Sequence, residues 1–137
     1  MQNKYELMQH LDRVMRRIND SMHQKIPRID TNRVGPLGTK VLTILADNEP
    51  ASIKEIGTLM ARDKSQMTRA VGALESKGLI KREESPHDAR VGLISLTVEG
   101  RTFVEAVKQI MSEVVDEVIE PLSPGEIKQL STILGKL

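Results

Sequence analysis

Apolar residues recur along this chain in stripes of helical spacing, and turn residues stand where each stripe stops. From residue 3 to about residue 25, Met8, Leu11, Met15, Ile18 and Met22 alternate spacings of three and four, a heptad-like stripe on one helix face. Ile26-Pro27-Arg28-Ile29-Asp30 breaks that helix, and residues 31–36 read as a loop. Leu37, Val41, Leu42, Ile44 and Leu45 mark a short second helix, which ends in the turn cluster Asp47-Asn48-Glu49-Pro50. Ser52 then stands as an N-cap with Glu55 three residues on, which predicts a capping box. Ile53, Ile56, Leu59 and Met60 give the helix behind it one apolar face, and the pattern breaks at Ala61-Arg62-Asp63. Asp63 is suited to cap the next helix, with Gln66 three residues behind it. Met67, Val71 and Leu74 form the inner face of that helix, and Gly78 ends it.

The period then changes. Residues 79–83 read as a short strand and Ser85-Pro86-His87-Asp88-Ala89-Arg90 as a turn. Residues 91–96, rich in apolar and β-branched types, return as the partner strand. Thr97 is placed to cap a long helix, in which Val104, Val107, Met111, Val114 and Val118 repeat the three-four alternation. Ile110, Val115 and Ile119 broaden its apolar face, so it is expected to bury against more than one neighbour, and Pro121 ends it. Ser123-Pro124-Gly125-Glu126 is an N-cap, a first-turn proline and a capping-box glutamate in order. Ile127, Leu130, Ile133, Leu134 and Leu137 complete a last amphipathic helix.

Two short helices joined by a tight turn form a helix-turn-helix, and a hairpin behind it forms a wing. In DNA-binding versions the N-terminal residues of the second helix meet base edges in the major groove. Here that stretch carries Lys64, Ser65, Gln66, Thr68 and Arg69. Arg69 is suited to guanine, Gln66 to adenine, and Ser65 or Thr68 to either. The same residues serve equally well as the solvated face of a surface helix. The wing shifts that balance. Arg90 near its tip is the residue type inserted into narrow minor grooves, and Asp88 is placed to orient its guanidinium. The plainer alternative for this pair is a surface salt bridge worth under about 1 kcal/mol.

Asp88-Ala89-Arg90 followed by Leu96-Thr97 and Gly100 resembles the D-x-R…LT-x-x-G wing signature of the MarR/SlyA family. The run Leu74-Glu75-Ser76-Lys77-Gly78-Leu79-Ile80-Lys81-Arg82 resembles that family's approach to the wing. The resemblance extends in outline over nearly the whole chain and is strongest from Ile53 to Gly100. It implies a homodimeric winged-helix transcription regulator, usually a repressor, often released from DNA by a small ligand. By matching position it makes Lys64, Ser65, Gln66, Thr68 and Arg69 the major-groove face, and Asp88 and Arg90 the wing pair. Gly57 departs from the family's usual alanine. Gly72 and Ala73 stand where longer polar residues are common, which thins the base-reading face at that end.

Composition narrows the function classes. Tyr5 and Phe103 are the only aromatics, so the core must be aliphatic, with methionine filling gaps. That poverty argues against a platform for stacking single-stranded nucleic acid. The absence of cysteine excludes thiol redox sensing, cysteine-ligated zinc and a cysteine nucleophile. No stretch looks like a secretory leader or approaches membrane length, so a soluble cytoplasmic protein without a membrane partner is expected. Net charge is +1. Residues 51–102 hold nine basic against seven acidic side chains and residues 103–137 three against six, so the proposed DNA segment is the more basic.

No catalytic constellation is present, and a non-enzyme is expected. His10 and His23 lie thirteen residues apart on the first helix, too far for a shared site, and no metal site is expected. His87 in the wing turn is suited to a phosphate. The terminal stripes want a partner. A dimer interface drawn from Met8, Leu11, Met15, Ile18, Val114, Val118, Ile127, Leu130 and Leu134 is expected, with packing against the chain's own domain as the alternative. A methionine metal site is the weakest of the three readings, because such stripes are usually core.

The expected fold is mainly α (α+β): a winged helix-turn-helix over residues 36–97, flanked by dimerisation helices at 3–26 and 98–137, in one domain of MarR type. The expected function is sequence-specific binding of double-stranded DNA as a homodimer on a pseudo-palindromic site. No cofactor is expected beyond an unidentified small-molecule effector, lodged between the dimer helices and the winged helix. The alternative is a winged helix used for protein–protein contact without DNA, since fold does not fix function.

Overall fold

The computed structural model describes residues 3–137. Among them are helices α1 (Lys4–Lys25), α2 (Gly35–Ala46), α3 (Ile53–Met60) and α4 (Lys64–Ser76), strands β1 (Ile80–Glu84) and β2 (Gly92–Leu96), and helices α5 (Val98–Ile119) and α6 (Pro124–Leu134). A 3-10 turn at Ile26–Arg28 follows α1, at the proline that breaks the stripe. The chain divides into two compact units. One is Ile26–Lys108, the other the residues up to Lys25 together with Gln109–Leu137.

The first unit is the winged helix. Its core is aliphatic: Val41, Leu42 and Leu45 from α2, Ile56 from α3, Met67, Val71 and Leu74 from α4, and Ile80, Ile94 and Leu96 from the sheet. The strands pair antiparallel, Ile80 opposite Leu96 and Glu84 opposite Gly92. A third short contribution comes from Ala51, whose N–H donates to the Ile94 carbonyl (3.1 Å) and whose carbonyl accepts from the Ile94 N–H (2.7 Å). The loop expected over residues 31–36 is shorter than predicted, because α2 starts at Gly35 with Pro36 in its first turn. The Asp30 carboxylate accepts from the N–H groups of Val34 (2.7 Å) and Gly35 (2.9 Å), which satisfies donors that the helix start leaves open.

The unit reaches beyond the wing into α5. Sequence patterning put a boundary between residues 97 and 98, whereas the division falls inside α5 at Lys108. The reason is packing: Val104 belongs to the winged-helix core and Phe103 lies against it. Thr97 caps α5 by accepting from the Gly100 N–H (3.0 Å), and its hydroxyl donates to the Gly78 carbonyl (2.6 Å). Gly100 sits so close to the Leu79 carbonyl oxygen that a Cβ there would collide with it. The glycine of the LT-x-x-G signature is therefore a close-approach glycine between the start of α5 and the residue that leads into β1.

The second unit holds α1, the rest of α5 and α6. Ser123 and Glu126 form the complete capping box: Glu126 N–H to the Ser123 hydroxyl (3.2 Å) and Ser123 N–H to the Glu126 carboxylate (2.9 Å). Glu117 on α5 accepts from Lys25 Nζ (2.7 Å) and the Ser21 hydroxyl (3.2 Å) of α1, and these bonds hold its carboxyl below the usual glutamate range. Neither α1 nor α6 has a buried residue. Among the stripe residues expected at a dimer interface, Met8, Leu11, Met15, Leu130 and Leu134 are exposed, and Ile18, Val118 and Ile127 are half-buried. Val114 differs, being 1% exposed and so already covered within the chain. The broad apolar face of α5 accounts for that, because one edge of it turns inward.

Candidate nucleic-acid interface

The two helices of the helix-turn-helix are shaped by their ends. Ser52 accepts from the Glu55 N–H (3.1 Å) and opens α3. Its capping box is only half formed, because the Glu55 carboxylate accepts from the Ser52 hydroxyl (3.2 Å) instead of from the Ser52 N–H. At the far end the Arg62 N–H reaches the Gly57 carbonyl (3.0 Å) and the Ala61 N–H the Thr58 carbonyl (3.2 Å). This is the Schellman closure, and it places Ala61 in the left-handed region at φ 52°. Asp63 opens α4 by accepting from the Gln66 N–H (2.8 Å). The same closure ends α4, with Leu79 N–H to Leu74 carbonyl (3.0 Å), Gly78 N–H to Glu75 carbonyl (3.0 Å), and Gly78 at φ +75°.

Between these ends Met67, Val71 and Leu74 are buried, which turns the opposite face of α4 outward. Lys64, Ser65, Thr68 and Arg69 are exposed on it and Gln66 is half-buried. The structure thus brings all five expected residues onto the first two turns of one helix. Gly72 and Ala73 continue the face without reach, and a Cβ at Gly72 would meet nothing within 4 Å. In the wing, residues 85–90 form the tip. The Val91 N–H donates to the Asp88 carbonyl (3.0 Å) and the Ser85 N–H to the Val91 carbonyl (2.9 Å). Asp88 accepts from the Arg90 N–H (3.0 Å) and its Nε (3.2 Å), and these bonds lower its pKa. The Arg90 side chain, held at its base, remains 91% exposed. His87 is exposed at the same tip, its N–H donating to the Ser85 hydroxyl (3.3 Å).

Known proteins share this arrangement. The MarR family model matches residues 38–91, which run from α2 to the wing tip. The transcriptional regulator MgrA of Staphylococcus aureus is 35% identical over 99 residues, covering 71% of this chain and 65% of that protein. Residues 38–91 of the chain are thus a MarR-family match, and the likeness of the whole chain is one of fold. A Bacillus subtilis relative, the transcriptional regulator YdgJ, is 29% identical over 98 residues, covering 72% of this chain and 60% of its own length. The match thus spans less than two thirds of either relative. Among solved structures, MarR of E. coli without ligand has a TM-score of 0.77 at 23% identity, covering 95% of both chains. A mutant of that protein complexed with operator DNA has a TM-score of 0.72 at 23% identity, covering 96% of this chain and 92% of its own. Both share the fold.

Within this frame the structure adds contacts that patterning along the chain did not show. Arg82 Nε donates to the Glu75 carboxylate (3.0 Å), tying β1 to the last turn of α4. Lys77 Nζ donates to the Arg33 carbonyl (2.8 Å), tying the end of α4 to the loop before α2. Arg101 meets Glu49 at 2.6 Å and anchors the start of α5 to the turn before α3. A cleft of about 570 Å³ opens between α3 and the start of α4, and Lys54, Thr58 and Arg62 stand on it beside Lys64 and Thr68. The signal for Lys54 and Thr58 was present as a four-residue spacing opposite the apolar face of α3. No group of three metal-ligating side chains occurs among the described residues, nor does a helix long and apolar enough to cross a membrane.

Proposed function

We propose that this chain is a sequence-specific double-stranded DNA-binding transcriptional regulator that acts as a homodimer on a pseudo-palindromic site. The observation that carries the proposal is the pairing of two exposed elements on one unit. One is the α4 start, with Arg69 and Gln66 on its outward face. The other is a wing whose tip holds Arg90 by its base and leaves the guanidinium in solvent. In this reading α4 enters the major groove and reads base edges, while Arg90 follows the adjacent minor groove. His87 lies close enough along the tip to meet a phosphate. The relatives' names and the operator complex of E. coli MarR support the same reading.

The dimer is supported by the apolar side chains that α1 and α6 leave in solvent, Met8, Leu11, Met15, Leu130 and Leu134 among them. A two-fold dimer presents two α4 helices, which suits half-sites about one DNA turn apart. Repression by steric block of a promoter, and release by a small-molecule effector, extend the proposal on the family resemblance alone.

The test is fluorescence anisotropy with a duplex carrying the region upstream of the protein's own gene, against a scrambled duplex. Wild type should bind the first more tightly, as a dimer, with affinity that falls steeply with salt. Arg69→Ala should relax sequence choice by about 1–3 kcal/mol at one base pair, and Arg90→Ala should weaken binding. Indifference of both variants, with weak binding to either duplex, would sink the proposal.

A further inference from the structure

The outward face of α4 carries a glycine that the fold of the chain does not call for. Met67, Val71 and Leu74 are the buried row of that helix. Ser65, Arg69, Gly72 and Ser76 repeat the same four-three spacing on the opposite side, so Gly72 stands in the outward row. Its neighbours one turn away, Thr68 and Arg69 before it and Glu75 and Ser76 after it, are all exposed. A glycine inside a helix weakens it relative to alanine, because more backbone freedom is lost on folding. Elsewhere in the helices that loss has a reason within the chain. A Cβ at Gly38 would crowd Val34 (2.7 Å) and Leu74 (3.3 Å), and one at Gly57 would crowd Met67 (3.2 Å). Gly35, Gly100 and Gly125 stand in first turns, where the ladder of helical bonds is not yet complete. Gly72 lies past the middle of α4. Beyond its chain neighbours and the helix's own backbone, a Cβ there would meet nothing within 4 Å.

We infer that Gly72 is a specificity-determining residue, whose missing side chain leaves a gap on the reading face that seats the C5-methyl of a thymine. The inference rests on the DNA-binding reading and deepens it, by naming a base that α4 prefers and by extending the reading face past Arg69. The polar groups on base edges are read through hydrogen bonds, and Gly72 has no side chain to give or accept one. A phosphate would gain nothing at Gly72 either, because the N–H groups of a mid-helix turn are already bonded within the helix. The thymine methyl is different, since it projects into the major groove and is recognised by apolar contact. A bare Cα lets that methyl come against the helix where a larger residue would hold α4 off. Thr68, one turn earlier, carries a methyl group of the kind suited to the same contact. The short reach of α4 at this end is thus a close approach to the bases, made at some cost to the stability of the helix.

The experiment uses the full chain and three duplexes: the upstream region, the same region with uracil in place of every thymine, and the scrambled control. Uracil keeps the pairing edge of thymine and lacks only the methyl. Gly72→Ala should raise the thermal melting midpoint by about 2–5 °C, since the fold loses no contact and the helix gains. The same variant should bind the upstream duplex about five- to fiftyfold more weakly than wild type, and the scrambled duplex within about twofold of it. On the uracil duplex the two proteins should agree within about twofold, because the added Cβ then fills the space of the missing methyl. A lowered melting midpoint overturns the inference, because the chain would then need the glycine for itself. Unchanged affinity of the variant for the upstream duplex, with wild type still selective, overturns it and leaves the DNA-binding reading standing. A loss of the same size on the uracil or the scrambled duplex overturns the thymine assignment. A wild-type protein that binds the upstream and scrambled duplexes alike, or neither, overturns the gap and the sequence-specific DNA-binding reading together.

Discussion

The two units of this chain handle the same kind of residue in opposite ways. In the winged helix the aliphatic side chains of α2, α3, α4 and the hairpin converge until Leu42, Leu45 and Ile56 are fully buried. In the terminal unit α1 and α6 carry equally regular stripes, and Met8 stays 63% and Leu134 51% exposed. Periodicity therefore identifies a face and does not say what covers it. A face with cover inside the chain stabilises the fold of one copy. A face without it stabilises only an assembly, whose stability depends on concentration.

Paired truncations should break or sharpen this contrast most strongly. Leu42→Ala leaves a cavity in a fully buried site and should destabilise the protein by about 2–5 kcal/mol at any protein concentration. Leu134→Ala should destabilise only where the protein is dimeric, and its effect on the melting midpoint should vanish on dilution. Thermal melts over a range of concentrations, with sedimentation to track mass, decide this. A Leu134→Ala loss that ignores concentration would place its cover within the chain. Gly100→Ala comes next, because its Cβ would meet the Leu79 carbonyl and the backbone there cannot yield as a flexible side chain does. It should lose about 1–3 kcal/mol, measured by denaturant titration.

A smaller effect of opposite sign is expected at Ala61, which holds the left-handed position that glycine occupies at Gly78. Ala61→Gly should stabilise the winged helix by about 1 kcal/mol, because the Cβ penalty of that conformation disappears. The same denaturant titration would show a loss if that conformation carries no strain. The smallest effect is a pH dependence in the terminal unit. Lys25 and Ser21 lower the pKa of Glu117 from its ordinary 4.5. The stabilisation is therefore fully present above about pH 4.5 and fades as the pH falls through the lowered folded value. Glu117→Gln should remove that dependence from acid-side melts, and the same acid sensitivity in the variant would rule out this pair as its source.

The order of elements was legible because helix ends are written in a few adjacent residues. Asp63, Gly78 and the Ser123-to-Glu126 box all act where their residue types predicted. Ser52 shows the limit of such rules: the same spacing to Glu55 produced a cap without the reciprocal bond, since a carboxylate three residues on has two donors within reach. The five polar residues at the start of α4 were legible too, because the buried face of that helix leaves them no other side. Arg62 was not: it stands in the turn between two short helices, and only the fold of α3 against α4 turns it toward the cleft.

By itself the sequence determined the helical periods, the caps, the change of period at the wing, and the pattern that marks the family. All of these depend on contacts within a few residues. The tertiary structure decided the strand contribution of Ala51, the close approach of Gly100 to Leu79, and the Arg101–Glu49 contact across 52 positions. It also decided that α5 belongs in part to the winged helix, through Val104, and that Val114 is covered while Leu134 is not. Contacts so far apart in sequence leave no periodic mark, because they depend on where whole elements come to rest once their apolar faces have found each other.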